Sequence, residues 1–460
     1  MTGKIALSSV SLIFACGTAL FSDGYANNVI GPVNTLLKRI YGTGSDGITT
    51  NYSTTLSSVA FAGTVVGMFT FGYLSDKAGR KFGMMSATGI VAVFSGLSSA
   101  SSGANNSLDG MLAMLIACRF LLGIGIGAEY PCGSVSASEQ SEEEGIAKNS
   151  QHQWLYTMID FGFVIGAFVP LVPATGVFLW RLRMEEPNRY KRDSMKHVRI
   201  PYRLVIKRYW RGLLGISLAW FIYDFITYVN DRFQCTLTIH LLTVVFGWSV
   251  VINLFYIPGT VIGAFFVDLM GPKAIMITGL LAQAVIGFIM SGLYTQLSQH
   301  VAAFAVVYGI FLSFGEFGAW KLRNHSPSFE LCLPSPGPTA VRGQYYGVAA
   351  ATGKIGAFIG TWVFPVMIND FGGSGSAKGN TGPFFVASGL AILSAIIVYF
   401  LVTPLDHDGM KEEDAKFREY LEAHGFDTSR MGLPKTETVS YAEGKEAGLA
   451  VKDTDSATKV

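Results

Sequence analysis

The stretch GYLSDKAGRK, residues 72–81, joins two long apolar runs and decides how the chain folds. Gly72 lets two helices approach closely because it carries no side chain. Asp76 stands where the first helix should end, and it can pair with Arg80 four residues later. The basic residues, Lys81 among them, are typical of a short loop on the cytoplasmic face of a membrane. The stretch therefore predicts two spanning helices joined by a tight, charged turn.

The second half of the chain repeats this pattern. AFFVDLMGPK, residues 264–273, also lies between two apolar runs and keeps an acid, a glycine three residues on and a terminal lysine: Asp268, Gly271 and Lys273. A helical protein built from two related halves leaves this trace in its sequence. We therefore expect two pseudo-symmetric helical halves.

The composition indicates a membrane protein with many spans. Half of the 460 residues are hydrophobic, only 14% are charged, and the mean hydropathy is +0.39. Soluble proteins carry about a quarter charged residues. The apolar residues gather into blocks of about 20, enough for a helix to cross a bilayer. We count eleven candidate spans: 6–28, 53–74, 82–102, 111–133, 154–180, 212–230, 246–267, 274–295, 300–318, 344–367 and 382–403.

Charge and polarity divide the chain into four parts. We expect an N-terminal helical half (1–180), a basic central loop (181–211), a C-terminal helical half (212–403) and a polar tail (404–460). The basic loop should face the cytoplasm. The tail has little hydrophobic periodicity beyond a helix-like patch near Lys411–His424, so we expect it to be mostly disordered and cytoplasmic.

The number of spans between the two basic segments is odd, although both segments should lie on the same side of the membrane. Spans 82–102, 111–133 and 154–180 separate the turn at residue 81 from the central loop. One crossing is therefore missing near 165–180, where the start of one span runs into the end of another. The stretches 230–245 and 319–338 are also out of character with a helical bundle. Such anomalies are typical of a faulty gene model.

LLGIGIGAEYP, residues 121–131, places charges inside an apolar run. Arg119 and Glu129 are ten residues apart, about 15 Å along a helix, so they cannot pair directly. Each needs a partner on another helix or a wet cavity, and ion pairs that only hold the bundle together remain the alternative. The glycines Gly123, Gly125 and Gly127 predict tight packing of this helix. A dinucleotide-binding reading is weak, because no strand precedes them.

WFIYDFITY, residues 220–228, aligns Trp220, Asp224 and Tyr228 on one helical face. An acid at mid-span favours the lining of a cavity over an interfacial aromatic belt. Asp23 and Lys354 also lie in apolar runs. Lys354 suits an anionic ligand, and pairing with a carboxylate such as Asp224 is the alternative.

These motifs resemble the phosphate:proton symporter branch of the major facilitator superfamily. GYLSDKAGRK is similar to its loop signature G-x-x-x-D-x-x-G-R-K, which gates the transport cycle and maps onto Gly72, Asp76, Gly79, Arg80 and Lys81. The remaining matches are D-x-Y at Asp23 and Tyr25, R-x-x-x-G-x-G-x-G-x-[DE]-Y-P from Arg119 to Pro131, W-x-x-x-D-x-x-x-Y from Trp220 to Tyr228, and G-K at Lys354. FSDGY, GAEYPCGSVSASEQ, WFIYDF and VRGQYYG resemble fungal glycerophosphoinositol and glycerophosphodiester permeases.

The resemblance implies an all-α bundle of twelve helices that transports a phosphate-containing anion with protons by alternating access. It implies that Lys354 holds the phosphate in a pocket shaped by Tyr130, Trp220, Asp224 and Tyr228. Asp23, Glu129 and Asp224 would carry protons, and Arg119 would tune a neighbouring acid. Ala26 and Glu129 depart from the inorganic phosphate carriers, which favours an organophosphate such as glycerophosphoinositol. The protein is then a monomer of the plasma membrane with both termini in the cytoplasm, and it needs no cofactor, metal or nucleic acid.

Three rival functions stay open. The first is transport of inorganic phosphate or a monocarboxylate, and the second is a non-transporting receptor that signals through the tail. The third is a non-functional product of a defective gene. An enzyme is least favoured, because the sequence offers no nucleophile–base pair, metal cluster or phosphate-cradling loop.

Overall fold

The structure, a computed structural model, is helical. It describes residues 29–44, 47–136, 139, 181–182, 186–236, 247, 251–252, 254–259, 262–263, 272–318, 337–373, 375–402 and 409–432. Within these ranges every regular element is a helix, and the pairing between Thr43 and Ile48 is an isolated bridge. The all-α fold expected from the sequence is confirmed.

The first half contains four described α-helices. A 3₁₀ turn, Ala104–Asn106, precedes the fourth, and a π-helical turn, Tyr130–Ser134, directly follows it. The side chains of Thr49 and Ser107 accept hydrogen bonds from the backbone N–H groups of Tyr52 and Gly110, so each caps the start of a long helix. The helices are α1 (Ile30–Tyr41), α2 (Thr50–Lys77), α3 (Arg80–Ser99) and α4 (Leu108–Glu129).

Eight further helices are described after residue 186. Two of them, α6 and α10, are long enough to extend beyond a bilayer. The helices are α5 (Asn188–Asp193), α6 (Tyr202–Thr236), α7 (Pro272–Gly292), α8 (Tyr294–Leu297), α9 (Val301–Gly318), α10 (Arg342–Asp370), α11 (Ala377–Leu401) and α12 (Gly409–Ala423).

Six described helices are long and apolar enough to span a membrane: Thr50–Lys77, Arg80–Ser99, Leu108–Ser134, Lys273–Gly292, Arg342–Asp370 and Ala377–Leu401. The predicted spans 53–74, 82–102, 111–133, 274–295, 344–367 and 382–403 fall on them. Span 300–318 falls on α9, and span 212–230 lies within α6. Spans 6–28 and 154–180, most of 246–267 and most of the anomalous stretch 319–338 lie outside the described residues.

Glycines determine how α2 packs against α4. A Cβ atom on Gly63 or Gly127 would collide with the backbone carbonyl of Phe120 or Thr64 on the facing helix. Gly125 meets α3 instead, where a Cβ would lie 2.9 Å from the side chain of Val91. The predicted tight packing of this glycine-rich helix is therefore confirmed, and Glu129, one turn after Gly125, also contacts α3.

The helix α2 also joins the two halves through α10. A Cβ on Gly72 would lie 2.9 Å from the carbonyl oxygen of Gly343, so the two backbones are in close contact, as predicted for Gly72. Farther along the same helix pair, Trp362 Nε1 donates to Ser58 Oγ at 3.2 Å. We call the end that carries residues 72–81 the motif end and the other the opposite end.

The expected end of the central loop is wrong, whereas the expectation for the tail is only partly covered by the described residues. The helix α6 begins at Tyr202, so the last ten residues of the predicted central loop are helical. Three of their basic side chains, Arg203, Lys207 and Arg211, lie on the exposed side of this helix. In the tail, residues 409–432 pack at the motif end, and the remainder of 404–460 lies outside the described residues, so the expectation that the tail is mostly disordered stays a prediction. Phe417 and Leu421 of α12 are buried in the same core as Tyr209 of α6. The predicted helical patch near 411–424 is confirmed by α12.

Candidate functional site

A buried ion pair joins α6 and α10 in the second half. Lys354 Nζ lies 3.5 Å from Asp224 Oδ2, and the two residues are only 2% and 1% exposed. Glycines on either side of Lys354 bring these helices together. A Cβ on Gly353 would lie 2.5 Å from the Trp220 ring, and one on Gly356 would collide with the carbonyl of Phe221. The sequence left two roles open for Lys354, binding an anionic ligand or pairing with a carboxylate such as Asp224. In this conformation Lys354 is paired with Asp224.

Tyr130 brings the first half to the same lysine. Lys354 Nζ lies 5.5 Å from the centroid of the Tyr130 ring, a distance at which a cation is attracted to the ring face. Tyr130 begins the π-helical turn that follows α4, and such turns often occur at functional sites. Lys354 therefore contacts an acid of one half and an aromatic ring of the other.

Two further aromatic residues lie near this pair. Trp220 is buried and packs edge-on against Tyr346, with ring centroids 5.6 Å apart. The hydroxyl of the neighbouring Tyr345 is buried and donates no hydrogen bond within the described part of the chain. Neither tyrosine was predicted as a site residue, although both stand in the quoted stretch VRGQYYG. Tyr228 shares α6 with Trp220, but its side chain lies outside the described residues.

Glu129 forms a second buried ion pair, with Arg181. The guanidinium Nη1 lies 2.6 and 2.9 Å from the two carboxylate oxygens. The same nitrogen donates to Met84 O at 3.0 Å, and the hydroxyl of Thr88 donates to Glu129 at 3.1 Å. The prediction that Glu129 takes its partner from another part of the chain, and not from Arg119, is confirmed.

Arg181 was wrongly placed in the basic loop. Its neighbours in the sequence RLRMEEPNRYKR look like loop residues, but its side chain is fully buried against α3 and α4. Arg119 is also buried, on α4. Asp23 and Tyr25 lie outside the described residues, so their predicted roles stay predictions.

The loop motif forms a second cluster, at the motif end. Asp76 Oδ1 lies 2.7 Å from Arg80 Nη1, which confirms the predicted pair. The Asp76 carboxylate also accepts from the backbone N–H groups of Gly343 and Gln344, at 3.0 and 2.9 Å. These two groups are in the first turn of α10, where unpaired N–H groups and the helix dipole attract negative charge. Asp76 thus fixes the end of α2 to the start of α10.

Arg80 extends this cluster to the tail. Its Nη2 lies 2.9 Å from Glu139, whose carboxylate is also 3.4 Å from Arg342. Arg342 lies 3.9 Å from Asp414 of α12, which accepts from the N–H and hydroxyl of Thr339, both at 2.7 Å. We call Asp76, Arg80, Glu139, Arg342 and Asp414 the motif-end network. Glu139, Arg342 and Asp414 were not predicted as site residues.

Gly79 is needed where the loop turns between α2 and α3. Its φ of +124° is rare for residues with a side chain, and a Cβ there would collide with the Glu186 carboxylate. Glu186 accepts from the backbone N–H groups of Arg80 and Lys81 at 3.1 and 3.0 Å, while burial raises the pKa of its carboxyl. Lys81 Nζ donates to Leu182 O at 2.9 Å.

The repeat of the motif is only partly described. Asp268 and Gly271 lie outside the described residues. Lys273 is the second residue of α7, and its Nζ lies 5.3 Å from the centroid of the Tyr399 ring. Within the described ranges, no three His, Cys, Asp or Glu side chains are grouped so that they could hold a metal ion.

Comparison with known proteins extends the likeness over nearly the whole chain. The family model described as "Sugar (and other) transporter" matches residues 10–184 and 207–417. A glycerophosphodiester transporter from Candida albicans is 39% identical over 99% of this chain and 89% of its own length. A major glycerophosphoinositol permease from the same organism is 39% identical over 91% of this chain and 83% of its own length.

A solved structure shares the fold. The proton:xylose symporter XylE, of the major facilitator superfamily, superposes with a TM-score of 0.65 over 89% of this chain and 98% of its own, at 17% identity.

The sequence alignment with the glycerophosphodiester transporter from Candida albicans runs over 495 positions, more than the 460 residues of this chain. The Candida albicans protein therefore has residues that this chain lacks.

Proposed function

The chain belongs to the sugar (and other) transporter family, within the major facilitator superfamily, and from this premise we propose that it takes up a glycerophosphodiester, such as glycerophosphoinositol, together with protons. It is a transporter and not an enzyme. The names of the two Candida albicans relatives support the substrate class. The plasma membrane, cytoplasmic termini and a monomeric state belong to the same proposal.

The contact between Lys354 and Asp224 carries the proposal. A buried cation is costly without a counter-charge. When a phosphodiester binds Lys354, its single negative charge replaces that of Asp224. Asp224 then takes up a proton, so the site keeps its charge balance. Substrate and proton enter together because neither alone leaves the buried site neutral.

The surrounding side chains have separate tasks in this proposal. The aromatic rings of Tyr130 and Trp220 contact the substrate, and Tyr228 lines the same pocket. Asp23 remains a candidate proton carrier. Glu129 could take a proton only after Arg181 moves away from it, and Arg119 would influence a neighbouring acid through its charge.

The motif-end network provides the gate. Asp76, Arg80 and Gly343 join the two halves at one end of the bundle. We assign the closed motif end to the conformation that is ready to receive substrate from the opposite end. Substrate release at the motif end then requires Asp76 to separate from α10. Gly72, Gly79 and Lys81 support the turn, and the predicted second-half counterpart is Asp268, Gly271 and Lys273.

Uptake into proteoliposomes tests the proposal. Radiolabelled glycerophosphoinositol should accumulate in response to an acidic exterior, and Lys354→Gln should reduce its transport at least tenfold. Asp224→Asn should still exchange substrate across the membrane but lose accumulation driven by the pH gradient. The matched control is Lys378→Gln, an exposed lysine at the start of α11. Wild-type transport by Lys354→Gln would overturn the assignment.

Competition separates the rival transport functions. Unlabelled glycerophosphoinositol should inhibit uptake at lower concentration than inorganic phosphate or a monocarboxylate. The receptor alternative predicts no uptake by the full chain, and uptake that persists after deletion of residues 404–460 would argue against it. A full-length chain without uptake of any of these anions would favour the receptor or the defective product.

A further inference from the structure

The first three turns of α6 have two different faces. On the inner face, Arg208 Nη2 lies 2.9 Å from Glu413 of α12, and Tyr209 is buried beside it. On the outer face, three exposed cations recur at every fourth position: Arg203, Lys207 and Arg211. The two faces therefore serve different partners.

Large apolar side chains run beside these cations. Tyr202, Ile206 and Trp210 are 46%, 60% and 52% exposed. They also recur at every fourth position, so they form a stripe next to the stripe of cations. We call the six residues of the two stripes the outer face of α6: Tyr202, Arg203, Ile206, Lys207, Trp210 and Arg211.

The cations of the outer face have no acidic partner within the described residues. No described carboxylate lies within 4.0 Å of the charged atoms of Arg203, Lys207 or Arg211, whereas Arg208, on the inner face, is paired. This surface thus combines uncompensated positive charge with exposed aromatic and aliphatic groups. Such a combination suits a partner that is both anionic and apolar.

The position of the outer face identifies that partner. The helix α6 continues without a break from residue 211 into the apolar stretch 212–230, so the outer face lies where the helix leaves the bilayer. Aromatic residues prefer this interfacial depth, and basic residues there attract anionic lipids. Arg also binds phosphate groups through two parallel hydrogen bonds.

We propose that the outer face of α6 binds the headgroups of anionic phospholipids in the leaflet at the motif end. Arg203, Lys207 and Arg211 contact the phosphate and carboxylate groups, while Ile206 and Trp210 lie between the upper acyl chains. This interaction is separate from the transport site, so it holds whatever the substrate is.

Trp quenching in lipid nanodiscs tests the proposal on the full chain. Brominated phosphatidylserine, diluted into phosphatidylcholine, should quench Trp210 at least twofold more than brominated phosphatidylcholine at the same content. The Trp210 signal is obtained as the difference from Trp210→Phe. The triple variant Arg203→Gln, Lys207→Gln, Arg211→Gln should lose this preference. The double variant Arg39→Gln, Lys378→Gln removes charge at the opposite end and should keep it.

Two further measurements do not depend on the triple variant folding. In the wild type, high salt should abolish the preference, because it screens the attraction. Inorganic phosphate added at constant ionic strength should leave the preference intact. Equal quenching by both lipids in the wild type, persistence of the preference in a folded triple variant, or its loss to free phosphate would each overturn the proposal.

Discussion

The two buried ion pairs differ at the level of single residues. Arg181 contacts both oxygens of Glu129 at hydrogen-bond distance, with Thr88 and Met84 around it. Lys354 lies 3.5 Å from Asp224 and contacts a ring face on its other side. The first pair is held by several short hydrogen bonds, whereas the second is a longer contact, which suits the proposed replacement of the carboxylate by an anion. This difference favours Asp224 over Glu129 as the coupling acid.

The pair of Arg181 and Glu129 should behave as a stabilising element. Arg181→Gln should lower the free energy of unfolding by about 3 kcal/mol, because it leaves Glu129 buried and uncompensated. The double variant Arg181→Met, Glu129→Leu should recover most of that loss. Thermal unfolding in detergent measures both, with the exposed Arg199→Gln as control. Equal stability of the single variant and the wild type would contradict this account.

The sequence identifies some of the site residues and names Asp224 as an alternative partner of Lys354, but it misses Arg181 as the partner of Glu129. Asp224 and Lys354 are visible because each is a charge inside an otherwise apolar run. Arg181 and Glu139 could not be recognised in the same way, because each stands in a charged stretch of sequence that resembles a loop. Their side chains are buried only in the folded protein. A pair at i, i+4 such as Asp76–Arg80 can be recognised in local sequence, whereas the pairing of Glu129 with Arg181 joins distant segments and depends on the fold.

At the level of helices, glycine contacts determine how closely α2 and α4 approach. Gly127→Ala should destabilise the protein by about 1–3 kcal/mol, because the added methyl group meets the backbone of Thr64, which cannot move aside. Gly96→Ala on α3 is the control, since a Cβ there has open space around it. It should be neutral or stabilising. Thermal unfolding compares the two, and equal losses would rule out the packing explanation.

The docking of α12 should depend on pH. Burial raises the pKa of the Asp414 carboxyl despite its contacts with Arg342 and Thr339, and nearby Asp193 acts in the same direction. A pKa that is higher when docked means that protonation favours docking. Docking should therefore strengthen as pH falls through this raised pKa towards the ordinary value of 3.8, and weaken as pH rises through it.

Hydrogen exchange of the α12 amides measures this dependence. After correction for the intrinsic pH effect, protection should be greater at mildly acidic than at neutral pH. Asp414→Asn, which cannot ionise, should abolish the difference. Glu419→Gln is the control on the same helix. A pH dependence that survives in Asp414→Asn would assign the effect to another group.

The sequence predicts that a helix forms better than it predicts where that helix packs. The patch near residues 411–424 was recognised as helical from its pattern, but its charged composition suggested a solvated tail. Its apolar side is short and includes Phe417 and Leu421, which are buried only because α12 packs beside α6. For the same reason the start of α6 was taken for loop, since its basic face hides its periodicity.

At the level of the whole molecule, the motif-end network joins both halves, the central segment and the tail. Lys77 Nζ donates to the carbonyls of Met195 and Val198, and Tyr190 donates to the carbonyl of Asp76. Arg418 lies 2.8 Å from Asp193. Opening the motif end must therefore separate contacts that belong to all four parts of the chain.

Removing Asp76 should favour the open motif end. In a background without the five native cysteines, the buried Ala340 is changed to Cys, and its reaction with a membrane-impermeant maleimide is followed from the motif end. Asp76→Ala should accelerate labelling about tenfold, as a loss of about 1.4 kcal/mol would. Asp109→Ala, an exposed acid at the opposite end, should not. Unchanged labelling in Asp76→Ala would remove Asp76 from the gate.

The breadth of this network has a kinetic consequence. If opening breaks many hydrogen bonds and ion pairs in one step, its activation enthalpy is large, and the turnover rate should climb steeply on warming. A chain ending at Asp408 lacks the tail contacts, so its Arrhenius slope should be shallower and its turnover in the cold comparatively fast. The tail would then slow the transport cycle most strongly at low temperature.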